Sequence, residues 1–543
     1  MLVSNSLRAD GVVSQFRILG GELSNSAATS VSDIDEVLPR MKALGLNTVL
    51  VPVYWELLEP VEGQMVFTLV DRIIDVARQQ ELKIVPLWFG AWKNSMSCYA
   101  PAWFKRDVKR FPRAVTAEGK PLEIASCFSD NVLQADLKAF SALMQHIAEK
   151  DPQREVVIMM QIENEIGMLE SARDHSPLAE KAYGQPVPSG LVKALNIKRQ
   201  GSWSEVFGTD DYADEKFMAW HYACYVEHLA KAARRIHDMP LYVNVAMNSR
   251  GRKPGEYPSA GPLAHLADIW KAGAPSIDIL APDIYDTGFK SWASQYAMPL
   301  RPQDGGKLKN RLFIPESRCC ENSGVRALYA FGEHQALGFS PFAIDQASPK
   351  ETEPVTQAYN LLSQIFLQKT SAVANSSLFT LHSSLNTWGL LFDKEDCERI
   401  IDDEGVVMTC RHYFTLPWDS RATDGSTWPE GGAMLIRLGK YDYLLAGSGV
   451  VVNFKTRTEK EQEQQKQLGE DGFAETGSEM FNVQRSMFNG KRLGLLSVDE
   501  VTIDPQGQMH FLRRHNGDQS HQGRHACISV GEWKILHIQL YEY

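Results

Sequence analysis

Short apolar runs alternate with amphipathic stretches from the N-terminus to about residue 370. An apolar run of about four to eight residues predicts a buried strand, whereas apolar residues three and four positions apart predict one face of a helix. Strands that alternate with helices along the chain are typical of a parallel sheet built from βα units. The predicted strands are residues 16–19, 48–53, 83–88, 156–162, 241–245, 277–281, 312–315 and 338–343.

The stretches between these strands predict the helices that a barrel needs. Apolar residues recur with helical spacing at residues 32–44, 69–80, 133–147, 217–237 and 361–367. Eight parallel strands, each followed by a helix, close into a (β/α)8 TIM barrel whose carboxyl strand ends meet at one rim. The predicted fold class is therefore α/β, with a catalytic TIM barrel over residues 1–370 and its active site at that rim.

The pattern changes at about residue 371. Helical spacing fades, and short β-type runs follow at residues 377–381, 388–392, 406–410, 433–438, 441–445, 450–454 and 533–541. Many short strands separated by turn residues predict an all-β sandwich, so residues 371–543 are expected to form a C-terminal β-sandwich domain. The very polar run at residues 455–471 predicts an exposed loop or a solvated helix face.

The sequence Gln-Ile-Glu-Asn-Glu occupies positions 161–165, where one predicted strand ends. A carboxylic acid can protonate a glycosidic oxygen as its bond to the sugar breaks, and a neighbouring amide can hold a sugar hydroxyl beside the reacting carbon. The motif therefore suits glycoside chemistry. A polar cap at the entry to a loop is the alternative, and the motif alone does not decide between the two.

A second carboxylate follows another predicted strand, because residues 312–315 run directly into Glu316. Retaining glycoside hydrolysis uses one carboxyl group as acid and base and another as nucleophile, about 5 to 5.5 Å apart. Residues that lie far apart in the sequence meet only if the fold brings them together, and the rim of a barrel does so. The second carboxylate therefore favours catalysis over a polar cap.

Composition narrows the classes of partner. The 543 residues carry a net charge of −11, with 44% apolar and 23% charged residues. The negative charge argues against a nucleic acid or an anionic membrane as partner, and no apolar run is long enough to span a bilayer. The eight cysteines show neither a disulfide framework nor zinc spacing. No signal-peptide pattern opens the chain, so the cytoplasm is the default expectation, whereas a trimmed signal would imply a periplasmic or secreted protein.

Several motifs follow one another along the predicted barrel. They are Gly20-Gly21-Glu22, residues 45–49 (GLNTV) with 52–56 (PVYWE), Pro101-Ala102-Trp103, and residues 161–167 (QIENEIG), in which Ile166 replaces the usual aromatic residue. Together they resemble glycoside hydrolase family 35, the β-galactosidases, over about residues 11–350. The resemblance implies a retaining barrel hydrolase from a divergent branch, similar to bacterial enzymes that remove galactose from xyloglucan side chains.

The resemblance implies roles for three residues. Glu165 corresponds to the general acid and base, Asn164 to the residue that holds the sugar 2-hydroxyl, and Glu316 to the nucleophile. Glu163 is the competitor for the acid role, because alternation along an extended strand would place it on the same side as Glu165. The motif match favours Glu165.

The two catalytic carboxyl groups need opposite protonation states. Glu165 must carry a proton when it meets the substrate, so we expect an apolar wall or the charge of Glu316 to raise its pKa. Glu316 must stay ionised, which requires hydrogen-bond donors around it. Tyr285 and Arg318 are the candidate donors. A purely structural tyrosine is the alternative for Tyr285.

Further residues near strand ends are predicted to bind the sugar through hydroxyl contacts or ring stacking, although each can instead be structural. They are Glu22, Asn25, Tyr54 and Trp92. The third strand departs from the family, because typical members read Pro-Gly-Pro-Tyr-Ile-Cys-Ala-Glu-Trp where this chain reads FGAWKNSM at residues 89–96. Lys93 or Asn94 is therefore predicted to replace the usual contact to galactose.

The predicted function is a retaining exo-β-galactosidase that releases terminal β-galactose from oligosaccharides or plant polysaccharide side chains, xyloglucan among them. Two alternatives stay open. One is a β-glucosidase or endo-acting β-glycanase from the same clan of retaining barrel hydrolases, and the other is a carbohydrate-binding barrel without catalysis. Retaining hydrolysis needs no cofactor or metal, so none is expected. The expected partner is a carbohydrate substrate, with neither nucleic acid nor membrane, and the sequence leaves a homo-oligomer open.

Overall fold

A computed structural model describes residues 16–297, 310–366, 386–416, 418–466 and 490–543. The chain divides into two compact units, one formed by Met1–Ser323 with His334–Thr356 and the other by Gly324–Glu333 with Gln357–Tyr543. The predicted domain boundary between residues 370 and 371 lies outside the described residues and stays a prediction.

The first unit contains a closed barrel of parallel strands. The strands up to residue 341 are β1 (Ile18–Glu22), β2 (Thr48–Tyr54), β3 (Lys83–Phe89), β4 (Arg113–Val115), β5 (Pro121–Ala125), β6 (Met160–Gln161), β7 (Leu241–Ala246), β8 (Ile279–Ile284), β9 (Phe313–Ser317) and β10 (Gly338–Pro341). The barrel closes in the order β1-β10-β9-β8-β7-β6-β3-β2, while β4 and β5 form a separate pair. The predicted TIM barrel is confirmed.

Burial explains why the barrel strands could be recognised as apolar runs. Every residue of β2 is buried, as expected for a strand covered on both faces. The observed strands β1, β8 and β9 continue beyond their predicted ends and include Glu22, Asp283 and Glu316. The predictions stopped where polar residues began, and these polar residues complete the buried strands at the rim.

Helices follow or interrupt the strands along the first two thirds of the chain. They are α1 (Val31–Ala43), α2 (Trp55–Leu58), α3 (Thr68–Gln79), α4 (Ala102–Arg106), α5 (Asp130–Lys150), α6 (Pro177–Tyr183), α7 (Ser189–Ala194), α8 (Trp203–Phe207), α9 (Asp211–Ile236), α10 (Ala267–Gly273), α11 (Phe289–Tyr296), α12 (Ser323–His334) and α13 (Pro349–Ile365). The side chains of Ser129 and Asp210 cap the long helices α5 and α9. None of the helices in the described ranges combines the length and apolar character that crossing a membrane requires.

The second unit is built from antiparallel strands. They are β11 (Thr387–Phe392), β12 (Glu398–Asp403), β13 (Val406–His412), β14 (Gly431–Gly439), β15 (Asp442–Ser448), β16 (Val450–Thr456), β17 (Leu493–Ile503), β18 (Met509–Arg514), β19 (Ala526–Ile528) and β20 (Lys534–Glu542). One sheet has the order β11-β14-β15-β20-β17-β18 and the other the order β12-β13-β16-β19. Apolar residues of both sheets form one core, among them Leu435, Met408 and Val452. The predicted β-sandwich is confirmed.

Two further predictions concern the polar run at residues 455–471 and the strand at residues 377–381. Helix α14 (Arg457–Lys466) forms within the polar run that was predicted as a loop or a solvated helix face. The predicted strand at residues 377–381 lies outside the described residues.

Candidate active site

Polar side chains from several strands gather at the carboxyl rim of the barrel. Such a position is where barrel enzymes hold their active sites, because the strand ends converge there. The side chains are all buried, and they are Glu22 of β1, Asn164 and Glu165 after β6, Asn244 of β7, Asp283 of β8 and Glu316 of β9. The fold therefore brings together the two carboxylates that the sequence analysis paired.

The carboxyl groups of Glu165, Asp283 and Glu316 lie close together. One oxygen atom of each is within 4.8 Å of the other two, and all three residues are buried. This spacing matches an acid and nucleophile pair of about 5 to 5.5 Å better than the separation of about 6.5 to 9.5 Å that leaves room for a water molecule between the carboxyls. The spacing is therefore compatible with one carboxyl group attacking and another protonating the same bond.

Glu316 accepts hydrogen bonds on both carboxylate oxygens. Asn164 Nδ2 and Asn244 Nδ2 donate to Oε1 at 3.1 and 3.0 Å, and the Tyr285 hydroxyl donates to Oε2 at 2.6 Å. Donors of this kind stabilise an anionic carboxylate. They leave Glu316 suited to act as a nucleophile.

Glu165 has the surroundings of an acid. Burial and, after it, the nearby charge of Glu316 raise the pKa of Glu165 to about 7, against a lowering by Lys93, Asp283 and Asn94. A carboxyl group with a pKa near the working pH can donate a proton and later accept one. Glu165 is therefore suited to general acid and base catalysis.

The backbone around Glu165 has left-handed conformations at two positions. Glu163 has φ 57° and Glu165 has φ 45°, so the chain is not extended there and side chains do not alternate. The Glu163 carboxylate instead accepts hydrogen bonds from the backbone of Trp92 at 2.7 Å and of Ala91 at 3.4 Å. The assumption that Glu163 shares a side with Glu165 was wrong, because it rested on extended geometry.

Several predicted binding residues join this network. Lys93 Nζ donates to Asn164 Oδ1 at 2.9 Å, and Asn94 Nδ2 donates to Glu165 Oε2. Glu22 is fully buried, and burial together with the charge of Glu316 raises its pKa well above its usual value. Lys93, Asn94 and Glu22 thus contact or face the carboxyl groups.

Other predicted residues have contacts elsewhere. The Tyr54 hydroxyl accepts a hydrogen bond from the backbone of Ala28 at 3.3 Å, and the Asn25 carbonyl accepts one from Tyr99 at 3.4 Å. Arg318 Nε donates to the Tyr285 carbonyl at 3.0 Å rather than to Glu316. The sugar-binding roles of Tyr54 and Asn25 stay predictions.

Trp92 is fully buried and packs edge-on against two tyrosines of α9. Its ring centroid lies 5.7 Å from that of Tyr222 and 4.7 Å from that of Tyr225. A ring enclosed in this way contributes to the barrel wall, and its predicted stacking on a sugar stays a prediction.

The sequence analysis did not identify two residues of the site, Asn244 and Asp283. Asn244 accepts a hydrogen bond from the Glu165 backbone on Oδ1 at 2.9 Å, and its Nδ2 also donates to Asp283 Oδ2 at 2.8 Å. Both residues lie inside runs that are otherwise apolar, Leu-Tyr-Val-Asn-Val and Ile-Leu-Ala-Pro-Asp-Ile. A single polar residue near the end of a buried barrel strand was the signal that could have identified them.

The same carboxyl groups are where a cation could be held. Within the described ranges, Glu165, Asp283 and Glu316 form the acidic group whose spacing would suit a metal ion. Their chemistry as an acid, a neighbour and a nucleophile requires no ion.

Part of the barrel is similar to a known family. Residues 27–247 match glycoside hydrolase family 42, whose description is "Beta-galactosidase". Over these residues the barrel is similar to that family. The expected membership of family 35 is not supported, since the family that matches is 42.

The remaining residues and the solved structures were compared in the same way. Residues 355–527 match a domain of unknown function, DUF5597. No curated protein matches the chain. Solved structures that resemble it include the beta-galactosidase from Bacillus circulans sp. alkalophilus (16% identity, TM-score 0.46, 65% of this chain and 57% of that chain) and the one from the psychrophilic Marinomonas ef1 (13% identity, TM-score 0.43, 64% and 59%). A catalytic mutant of a GH42 beta-galactosidase from G. stearothermophilus is also similar (16% identity, TM-score 0.45, 64% and 57%). The chain thus spans less than two thirds of each of these enzymes.

Proposed function

We propose that the chain is a retaining exo-β-galactosidase in which Glu316 is the nucleophile and Glu165 the acid and base. The observation that carries the proposal is the pair itself: a carboxyl group with a pKa of about 7 beside a carboxylate that accepts three hydrogen bonds. Their oxygens lie within 4.8 Å of each other, in keeping with the short separation that retaining enzymes use. The description of family 42 supports galactose as the sugar.

The first chemical step forms a covalent intermediate. A carboxylate oxygen of Glu316 attacks the anomeric carbon while the proton of Glu165 moves to the departing glycosidic oxygen. The bond between the anomeric carbon and that oxygen breaks, and the leaving group departs as a neutral alcohol. Galactose remains attached to Glu316 as an ester.

The second step releases the sugar. Glu165, now ionised, removes a proton from a water molecule that attacks the same anomeric carbon from the opposite side. The ester bond to Glu316 breaks, and Glu165 regains its proton. Two inversions give galactose with the configuration of the substrate.

Asn164 is suited to hold the sugar 2-hydroxyl. Its Oδ1 accepts from Lys93, which fixes the side-chain amide with Nδ2 directed at Glu316 Oε1. A donor held beside the nucleophile can bond a hydroxyl on the carbon next to the reaction centre. This contact strengthens as charge develops in the transition state, so we expect Asn164 to affect kcat more than KM.

We also propose the group to which the released galactose is attached, the aglycone. The sequence resembles enzymes that act on xyloglucan side chains, and we propose galactose at the end of such a side chain as the natural target. Hydrolysis of xyloglucan oligosaccharides, lactose, and β-1,3- and β-1,4-linked galactobiose tests this part of the proposal. Faster release from a galactobiose than from xyloglucan oligosaccharides would contradict the xyloglucan preference and leave the galactosidase assignment standing.

The main test compares sugars and variants. We expect hydrolysis of nitrophenyl β-galactoside to exceed that of the β-glucoside and β-mannoside, with β-galactose as the first product in NMR spectra. Glu316→Ala is expected to abolish turnover, whereas Glu165→Ala should still react with a dinitrophenyl leaving group that needs no proton. Glu227→Ala, which removes a carboxylate of α9 bonded to Ser276, is the matched control. Full activity of Glu316→Ala or Glu165→Ala on ordinary galactosides, or α-galactose as first product, would contradict the proposal.

A further inference from the structure

Asp136 and Glu163 form a buried pair of carboxyl groups behind the active site. Asp136 lies on α5, Glu163 follows β6, and both are fully buried. Asp136 accepts hydrogen bonds from Trp88 Nε1 at 2.9 Å and from the Tyr225 hydroxyl at 2.7 Å. Glu163 accepts from the backbone of residues 91 and 92, and its Oε1 and Asp136 Oδ1 lie beside the same atom, the Cα of Gly90, where a Cβ would be 2.8 Å from both.

Two buried carboxyl groups that share a site do not readily ionise together, so one of them is expected to hold a proton. Burial and the charge of Asp136 raise the pKa of Glu163 well above its usual value. Burial also raises the pKa of Asp136, but Asp136 accepts hydrogen bonds from Trp88 of β3 and Tyr225 of α9, which favour its ionised form. The simplest assignment is a protonated Glu163 that donates to an anionic Asp136. The titratable groups that face the pair are Tyr225 and, next to that tyrosine, Cys127.

Gly90 allows the two carboxyl groups to approach the loop that follows β3. A Cβ atom at this position would lie 2.2 Å from Trp88 Nε1 and 2.8 Å from both Asp136 Oδ1 and Glu163 Oε1. Real Cβ atoms do not come so close to other atoms. The absence of a side chain at residue 90 is therefore a condition for the pair to hold the loop.

The loop held by Glu163 carries contacts to the catalytic residues. Asn164 N donates to the Trp92 carbonyl at 3.3 Å, and Asn94 N donates to the Asn164 carbonyl at 3.2 Å. The next side chains, those of Lys93 and Asn94, bond Asn164 and Glu165. The loop at residues 91–94 therefore links the buried pair to Glu165, the proposed acid and base.

We propose that Asp136 and Glu163 are positioning residues that share one proton and thereby fix the loop at residues 91–94, so that Lys93 and Asn94 keep their contacts with Asn164 and Glu165. The proposal rests on the proposed function for its catalytic consequence. The shared proton itself does not depend on it. Both carboxyl groups act through the loop and not on the substrate.

The catalytic test uses a pair of variants at one position. Glu163→Gln keeps a donor for Asp136 and an acceptor for Trp92 N, so kcat should stay within about threefold of the parent. Glu163→Leu removes both and should lower kcat about 10- to 100-fold, with KM changed less. Lys93 and Asn94 lower the pKa of Glu165, so their displacement should also move the alkaline limb of the pH profile to higher pH. A folded Glu163→Leu protein with the parent's kcat and pH profile would overturn the proposal.

A stability measurement tests the shared proton without reference to activity. The raised pKa of Glu163 means that its contribution to stability is fully present below its usual pKa and is lost as pH rises towards the folded-state pKa. Glu163→Gln has no such proton to lose. The melting temperature of Glu163→Gln minus that of the parent should therefore increase from about pH 5 to about pH 9.

The outcomes separate this inference from the proposed function. Asp136→Asn should give the same trend as Glu163→Gln, which keeps the test valid if Glu163→Leu fails to fold. A difference in melting temperature that stays constant across the pH range would overturn the shared proton. A parent protein that hydrolyses no glycoside, yet shows the rising difference, would contradict the proposed function and support the buried pair.

Discussion

Asn244 donates a hydrogen bond from Nδ2 to Glu316 Oε1 at 3.0 Å, although the two residues lie on different strands of the barrel. The same side chain accepts a hydrogen bond from the backbone of Glu165 at 2.9 Å. One amide therefore connects the proposed nucleophile, Glu316, to the proposed acid, Glu165. This connection fixes the distance on which the proposed mechanism depends.

Replacement of Asn244 by alanine is expected to lower kcat about 100-fold, because the nucleophile loses a donor and the Glu165 backbone loses its acceptor. Steady-state kinetics on nitrophenyl β-galactoside measures the effect. Asn453→Ala, on β16 of the second unit, is the matched control and should keep the parent's kcat. An Asn244→Ala enzyme within twofold of the parent would exclude the connecting role.

Tyr285→Phe should lower kcat about 10- to 150-fold, since a hydrogen bond to a charged group contributes about 1.5 to 3 kcal/mol. The hydroxyl lies 2.6 Å from Glu316 Oε2, whereas the ring itself packs against Phe342 and should be retained. Tyr443→Phe removes a buried hydroxyl in the second unit and controls for general loss of stability. Equal kcat values for Tyr285→Phe and the parent would favour the alternative that Tyr285 is purely structural.

The expected pH dependence of the rate follows from the proposed acid role of Glu165. Its pKa of about 7 predicts that kcat/KM falls as pH rises above that value, because the ionised carboxyl cannot protonate the leaving group. The raised pKa also means that the stability linked to this proton is complete below the ordinary pKa of a glutamate and is lost as pH rises through about 7. A rate profile measured on nitrophenyl β-galactoside checks the first point, and an activity that keeps rising well above neutral pH would argue against Glu165 as the acid.

Lys93→Met is expected to move the alkaline limb of that profile to higher pH. The lysine charge lowers the pKa of Glu165, whereas burial and Glu316 raise it. Loss of the lysine charge should therefore raise the pKa of Glu165. The variant also frees Asn164 Oδ1, which should reduce kcat. Lys193→Met, on the short helix α7, is a control for the loss of one positive charge. A limb that moves to lower pH would show that Lys93 does not act on Glu165 in this way.

Gly90→Ala is expected to destabilise the barrel by about 1 to 3 kcal/mol, because the added Cβ meets Trp88, Asp136 and Glu163. Gly190→Ala is the matched control, since nothing lies within 4 Å of a Cβ at that position. Thermal unfolding of both variants tests the expectation. Similar melting temperatures for the two variants would mean that the loop after β3 can move to accommodate the added Cβ without loss of stability.

The barrel could be predicted because its strands are buried on both faces and therefore stand out as apolar runs. The position of Glu316 at the rim could be predicted because it follows such a run directly, and that of Glu165 because it belongs to the motif at residues 161–165 that ends another run. Asn244 and Asp283 were missed because each is one polar residue within a strand, and its importance appears only when the strands are side by side. The left-handed backbone at Glu163 and Glu165 depends on contacts with the loop after β3, which no local pattern specifies.

The most direct test of the account is trapping of the covalent intermediate. Incubation with dinitrophenyl 2-deoxy-2-fluoro-β-galactoside slows the second step, so the sugar should remain on the nucleophile. Mass spectrometry of the digested protein should find one fluorogalactosyl group on the peptide that contains Glu316, and none in Glu316→Ala. A label on another carboxylate, or hydrolysis of galactosides by a protein that is never labelled, would contradict Glu316 as the nucleophile.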